Sequence, residues 1–185
     1  MNAIQIMKEE HTYIKRMLKV LRQACLNILE GQTVDYQLFT DSVDFIRNYA
    51  DKYHHSKEED VLFKKMQEEI QDKDTLSAVQ GMFIEHDFGR LFIYNLVKAL
   101  DKVQAGDADA KVDIIGNAIP YTDLLTRHID KEDNALYDFG VKALSDQIVE
   151  EVDILSKTID DKPENIKQIQ KYTNMVVDLE KRVGI

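Results

Sequence analysis

The chain has 185 residues, 44% of them apolar, with two prolines, seven glycines and a formal net charge of −10. That length fits one ordinary domain with a substantial core, the scarcity of helix breakers points to an all-helical protein, and so acidic a balance excludes a nucleic-acid backbone as partner. The single cysteine, Cys25, allows neither an internal disulfide nor a thiolate cluster; with no cleavable leader and no run of about 18 apolar residues, a cytoplasmic protein without a membrane partner is expected.

From Ile4 the residues Met7, Ile14, Leu18, Leu21, Cys25 and Ile28 fall on alternating steps of three and four, and His11 shares the series. The spacing predicts a long first helix ending near Gly31. A second helix carries Phe39, Val43, Ile46, Ala50, His54, Glu58 and Val61 on one stripe. A third, after Gln71 to Asp74, carries Val79, Met82, His86, Gly89, Ile93, Leu96 and Leu100. A fourth, after Gly106, carries Ile114, Ala118, Tyr121, Leu125, His128, Glu132 and Ala135, with Pro120 expected to kink it. Four long helices with short connections imply an up-down-up-down bundle over residues 1–140. Over 141–185 a helical hairpin is expected, capped by Ser145 and turned at Asp160 to Pro163, either packed on the bundle or forming a dimer contact.

The second and fourth helices repeat one another. His54-His55-Ser56-Lys57-Glu58-Glu59 matches His128-Ile129-Asp130-Lys131-Glu132-Asp133, and each is preceded by a Glu-His pair, Glu10-His11 and Glu85-His86. His11 and His54 lie about 21 residues either side of the first turn, and His86 and His128 about 21 either side of the third. At a rise of about 1.5 Å per residue the four imidazoles reach one level. A His and a Glu four positions apart share a helix face, so each of two helices offers an imidazole and a carboxylate that can bridge two ions. Desolvating four histidines and two glutamates without partners is costly. The donor set therefore points to two metals, with iron the best match to nitrogen and oxygen donors, then manganese, then zinc.

Periodicity chooses between neighbouring candidates. His54 shares its stripe with apolar residues, whereas His55 and Glu59 are expected on a solvated face, with a place behind the ligands or on an entry path the alternative for His55. Glu10 and Glu85 are either outer acceptors for ligating imidazoles or exposed carboxylates. Tyr13, Arg47, Tyr53 and Tyr121 are candidates to border a pocket, and Gly89 with Arg90 marks a low-bulk place where a small molecule could enter.

The segments Glu10-His11, His54-x-x-x-Glu58 with Leu62-Phe63, Glu85-His86, and His128-x-x-x-Glu132 with Leu136-Tyr137 resemble the hemerythrin-like family of HHE cation-binding proteins. The resemblance covers roughly residues 1 to 140. It implies a four-helix bundle around a non-haem di-iron centre, bridged by two carboxylates and an oxygen atom, with His11, His54, Glu58, His86, His128 and Glu132 as ligands. Oxygen-carrying hemerythrins have a second histidine four residues on in the third helix, where this chain has Arg90, and a final His-x-x-x-x-Asp where it has His-x-x-x-Glu. The pattern is closer to the repair-of-iron-centres branch, though without that branch's cysteine-bearing amino-terminal domain. Ferritin-like proteins are disfavoured, because no Glu-x-x-His occurs in the chain.

The function expected from these residues is binding, and reduction, of a small oxidant: dioxygen, hydrogen peroxide or nitric oxide. An electron donor that the sequence does not name is then required. The alternative is a non-catalytic iron-handling or redox-sensing protein, including one that donates iron for repair of iron-sulfur centres. A homodimer is compatible with either.

Overall fold

Asn2 accepts a hydrogen bond from the Gln5 amide while the Gln5 side chain accepts one from the Asn2 amide, a reciprocal cap that starts α1 (Ala3–Leu29). The computed structural model describes residues 2–185. Gly31, at φ 88°, ends α1, and Gly106, at φ 104°, ends α4 (Lys73–Gln104) in the same way. Both supply the left-handed residue that turns a helix end back on its own carbonyls.

The second rod starts as α2 (Tyr36–Phe45), capped by Asp35, passes through π-helical turns at Ile46–His55 and Glu58–Leu62, and finishes as α3 (Phe63–Glu69). The fourth starts as α5 (Lys111–Lys131), passes through a π-helical turn at Glu132–Leu136, and finishes as α6 (Tyr137–Ala143). Pro120 sits inside α5, which runs on through it as one helix. These four rods make the expected all-α bundle. The π turns were not expected from a single 3.6-residue period; such widened turns concentrate at functional sites.

Beyond the bundle, Ser145 caps α7 (Asp146–Asp160), and Pro163 occupies the first turn of α8 (Pro163–Val183). The hairpin lies on the bundle. Tyr172, Val176 and Leu179 of α8 join the core that runs from Ile14 to Ile28 of α1, and Arg16 makes a two-pronged bond to Glu180 at 2.8 and 2.6 Å. Val152 of α7 is buried with Ala3, Met7, Val61 and Leu62. The core is in two parts, one above and one below the level of the histidines.

Candidate metal centre

All six expected site residues meet between the two parts of the core. His11, His54, His86 and His128 are each 1% exposed, and Glu58 and Glu132 are fully buried. They form two pairs of imidazoles spanned by two carboxylates. The ring centroids of His11 and His54 are 4.5 Å apart, and those of His86 and His128 are 4.7 Å apart. Glu58 sends Oε1 to within 3.6 Å of His54 Nε2 and Oε2 to within 3.5 Å of His86 Nε2. Glu132 sends Oε2 to within 3.5 Å of His11 Nε2 and Oε1 to within 3.1 Å of His128 Nε2. Each carboxylate thus gives one oxygen to each pair of histidines.

Every one of these imidazoles turns Nδ1 outward onto a carboxylate. His54 donates to Glu10 at 2.7 Å, His11 to Asp133 at 2.7 Å, His86 to Glu59 at 2.6 Å and His128 to Glu85 at 2.9 Å. A proton held on Nδ1 leaves the Nε2 lone pair facing inward, which is the tautomer a metal needs. Each outer carboxylate is backed by a cation: Lys57 on Glu10, Lys15 on Asp133, Arg90 on Glu59 and Lys131 on Glu85. The duplicated sequence therefore builds four parallel chains of histidine, carboxylate and cation.

The inner groups fit a pair of divalent ions. His54 Nε2, Glu58 Oε2 and both oxygens of Glu132 are buried without a hydrogen-bond partner, an arrangement that is costly for bare carboxylates and ordinary for metal ligands. Burial and the facing Glu132 push the Glu58 carboxyl well up, while the His128 imidazole holds Glu132 low against burial. Burial, reinforced by His55, drives His86 down to about 3. His128 goes the other way, held at about 9 by Glu132 and Glu85 although burial opposes it.

One expectation is corrected. His55 and Glu59 are not a solvated face: His55 is 6% exposed, and Glu59 accepts the His86 bond. The cause is the π-helical turn, which packs more residues into each turn than the 3.6 period allows and brings two successive histidines inward. His55 stacks face to face on His86, centroids 3.8 Å apart and planes 11° apart, with its Nδ1 3.3 Å from Asp51. Arg90 does not reach into the histidine layer. Its guanidinium bonds Asp51 at 2.9 Å and Glu59 at 2.7 Å, outside the imidazoles. Of the two readings of Glu10 and Glu85, the outer-acceptor one holds for both.

Two groups lacked a sequence signal. Tyr137 is fully buried; its hydroxyl donates to Glu58 Oε1 and lies 3.4 Å from His11 Nε2. Burial and Glu58 keep that hydroxyl protonated. Lys57 is a fully buried lysine, held by Glu10, by Tyr53 at 3.0 Å and by Asp160 of the hairpin at 2.8 Å. Its copy in the repeat, Lys131, is 46% exposed. Beside His55 and His86 lies a cavity of about 140 Å³, walled by Asp51, Gly89, Arg90 and Tyr121.

A helical bundle whose histidine pairs are spanned by two carboxylates is a metal-binding protein of the kind that chelates two ions. The chain belongs to the hemerythrin HHE cation-binding domain family, whose model matches residues 2–139. It is also similar to uncharacterized proteins of Mycobacterium tuberculosis and Mycobacterium bovis, each 23% identical over 187 residues that span 99% of this chain and 71% of the relative. No solved structure matches. No helix among the described residues is long and apolar enough to cross a membrane.

Proposed function

We propose that the chain holds two iron ions and binds and reduces a small oxidant of the size of dioxygen, hydrogen peroxide or nitric oxide. His11 and His54 would hold one ion and His86 and His128 the other, with Glu58 and Glu132 placed to be shared between them. The observation that carries this reading is the division of each carboxylate between the two imidazole pairs. Nitrogen and oxygen donors without thiolate favour iron, with manganese or zinc as substitutes. Two ferrous ions held there would supply two electrons for reduction of a small oxidant.

The protein's own groups limit what reaches that place and hold its protons. The cavity of about 140 Å³ admits a diatomic molecule or a peroxide and excludes bulky organic substrates. Gly89 leaves the wall facing it free of a side chain, with Tyr121 and Leu125 3.5 and 3.4 Å from where a Cβ would stand. His55 forms the polar boundary between cavity and imidazoles, its ring parallel to His86. Two imidazoles that converge at right angles on one ion cannot lie parallel and stacked. His55 is therefore assigned to the lining, with Nδ1 turned to Asp51 and Nε2 left to face the incoming molecule as an acceptor.

The test is metal analysis with an optical spectrum of anaerobically reduced protein, before and after dioxygen, peroxide and nitric oxide. Two irons per chain and a spectrum that responds to at least one of the three are expected. Indifference to all three overturns the reading.

A second reading, iron handling or redox sensing, is favoured by one contact: Asp160 reaches His54 through Lys57 and Glu10. It predicts that the hairpin's hydrogen-exchange protection changes with oxidation while the oxidant is not consumed.

A further inference from the structure

The duplication that builds the histidine layer extends past it, and the hairpin covers only one of the two copies. Residues of α1 match those of α4, and those around Lys57 match those around Lys131. Ala3, Met7, Lys57, Val61, Leu62 and Lys65 in the first copy correspond to Ala78, Met82, Lys131, Ala135, Leu136 and Phe139 in the second. Three of the first copy, Ala3, Lys57 and Lys65, bond α7 directly, and the other three share a core with it. Ala3, Met7, Val61 and Leu62 are buried with Val152, Lys57 binds Asp160 at 2.8 Å, and Lys65 binds Glu151 at 3.0 Å.

All six of the second copy line a groove of about 720 Å³ with no element of the described chain seated in it. Four of the six, Ala78, Lys131, Ala135 and Phe139, are exposed, while Met82 and Leu136 are buried. Ala3 is 3% exposed and Ala78 is open; Lys57 is fully buried and Lys131 is 46% exposed; Phe139, where the first copy has a lysine, is 51% exposed.

We infer that this groove is a docking site for an amphipathic helix of a partner protein, lying as α7 lies on the other copy. The exchanges between the two copies define its chemistry. Lys131 is retained, so the helix presents a carboxylate to it, as Asp160 does to Lys57. Phe139 replaces Lys65, so an apolar side chain stands where Glu151 stands. The amide of Ala3 takes Asp153 at 2.7 Å, but Ala78 lies inside α4, more than a turn from its start. That extra turn walls the groove with Asp72 and Asp74. The partner therefore carries a cation where α7 carries Asp153. Seating it would be felt at the centre, because Lys131 shares Glu85 with His128.

The test uses iron-loaded protein and a fluorescein-labelled peptide of residues 145–161 bearing Glu151→Leu and Asp153→Lys, followed by anisotropy. The expected result is saturable binding at or below millimolar concentration, weakened about tenfold or more by Phe139→Glu and by Lys131→Glu. Phe139 touches no group of the histidine layer, and unchanged iron content in its variant shows that the fold is intact. A photoreactive group at position 151 of the peptide is expected to label residues 78–82 or 135–142. Flat anisotropy at millimolar protein, binding indifferent to Phe139→Glu, or labelling of residues 3–7 overturns the proposal. So does a dimer in sedimentation that Phe139→Glu dissolves, which would put a second copy in the groove.

Discussion

Glu10 is next to His11 in the chain, but its carboxylate lies 2.7 Å from Nδ1 of His54, on the neighbouring rod. Glu85 stands in the same relation to His128, at 2.9 Å. Each rod thus orients a ligand that another rod carries. Glu10→Ala and Glu85→Ala should each lower metal affinity about 10–100-fold, measured by competition with a chelator. Glu10→Ala should also lower stability markedly, because it strands the buried Lys57; Glu85→Ala should not.

The two equivalent lysines give the sharpest contrast in stability. Lys57 is enclosed with Glu10, Tyr53 and Asp160, and its ammonium lies 4.2 Å from the centroid of the Tyr53 ring. Lys57→Met leaves the buried Glu10 and half-buried Asp160 without their cation and should cost about 3–5 kcal/mol. Lys131→Met removes a surface pair and should cost no more than about 1 kcal/mol. Urea unfolding of the metal-free proteins checks both.

Metal stoichiometry separates bridges from lining. Glu58→Ala and Glu132→Ala each remove an oxygen from both imidazole pairs and should deplete both ions. His55→Leu should retain both ions while weakening the binding of azide or nitric oxide about tenfold. If His55→Leu loses one ion, His55 belongs among the ligands.

Acid and base act on the metal-free protein in opposite senses. His86, held at about 3 by burial and the neighbouring His55, stays neutral in the fold while the unfolded chain takes up a proton, so stability falls as pH drops from about 6.5 toward 3. The His128 bond holds Glu85 at about 2. His11 and Lys15 hold Asp133 at about 2 against burial. Both carboxylates stabilise the fold above their ordinary values, and that contribution is lost as pH falls toward 2. His128, raised to about 9, stabilises at low pH and loses that contribution as pH rises through 9. Stability should therefore peak near pH 6.5. Thermal melts from pH 3 to 10 test this; a flat profile would contradict it.

The histidine layer was legible because its residues obey one helical period and occur twice. His11, His54, His86 and His128 each sit on an apolar stripe, and counting from the turns brings them level. His55 was misplaced by that same period, which a π-helical turn breaks without any signature in the residue types. The identity of each outer carboxylate was half legible. Glu10 and Glu85 stood out beside histidines, but which histidine each one serves depends on how neighbouring rods meet. Glu59 reads as a surface acid, and Asp133 draws no separate reading. The link from Asp160 to Lys57 joins residues far apart in the chain, and no local pattern announces it.

Three of the four cations behind the outer carboxylates, Lys15, Arg90 and Lys131, reach solvent, while Lys57 does not. Each cation draws electron density from its carboxylate and so from the imidazole in front of it, which would make an ion held by that imidazole easier to reduce. Surface exchanges at three positions can retune the centre's electron affinity while leaving its inner ligands untouched. The fourth position is locked by the hairpin, so one imidazole of the four keeps a fixed electronic reference against which evolution is free to adjust the rest.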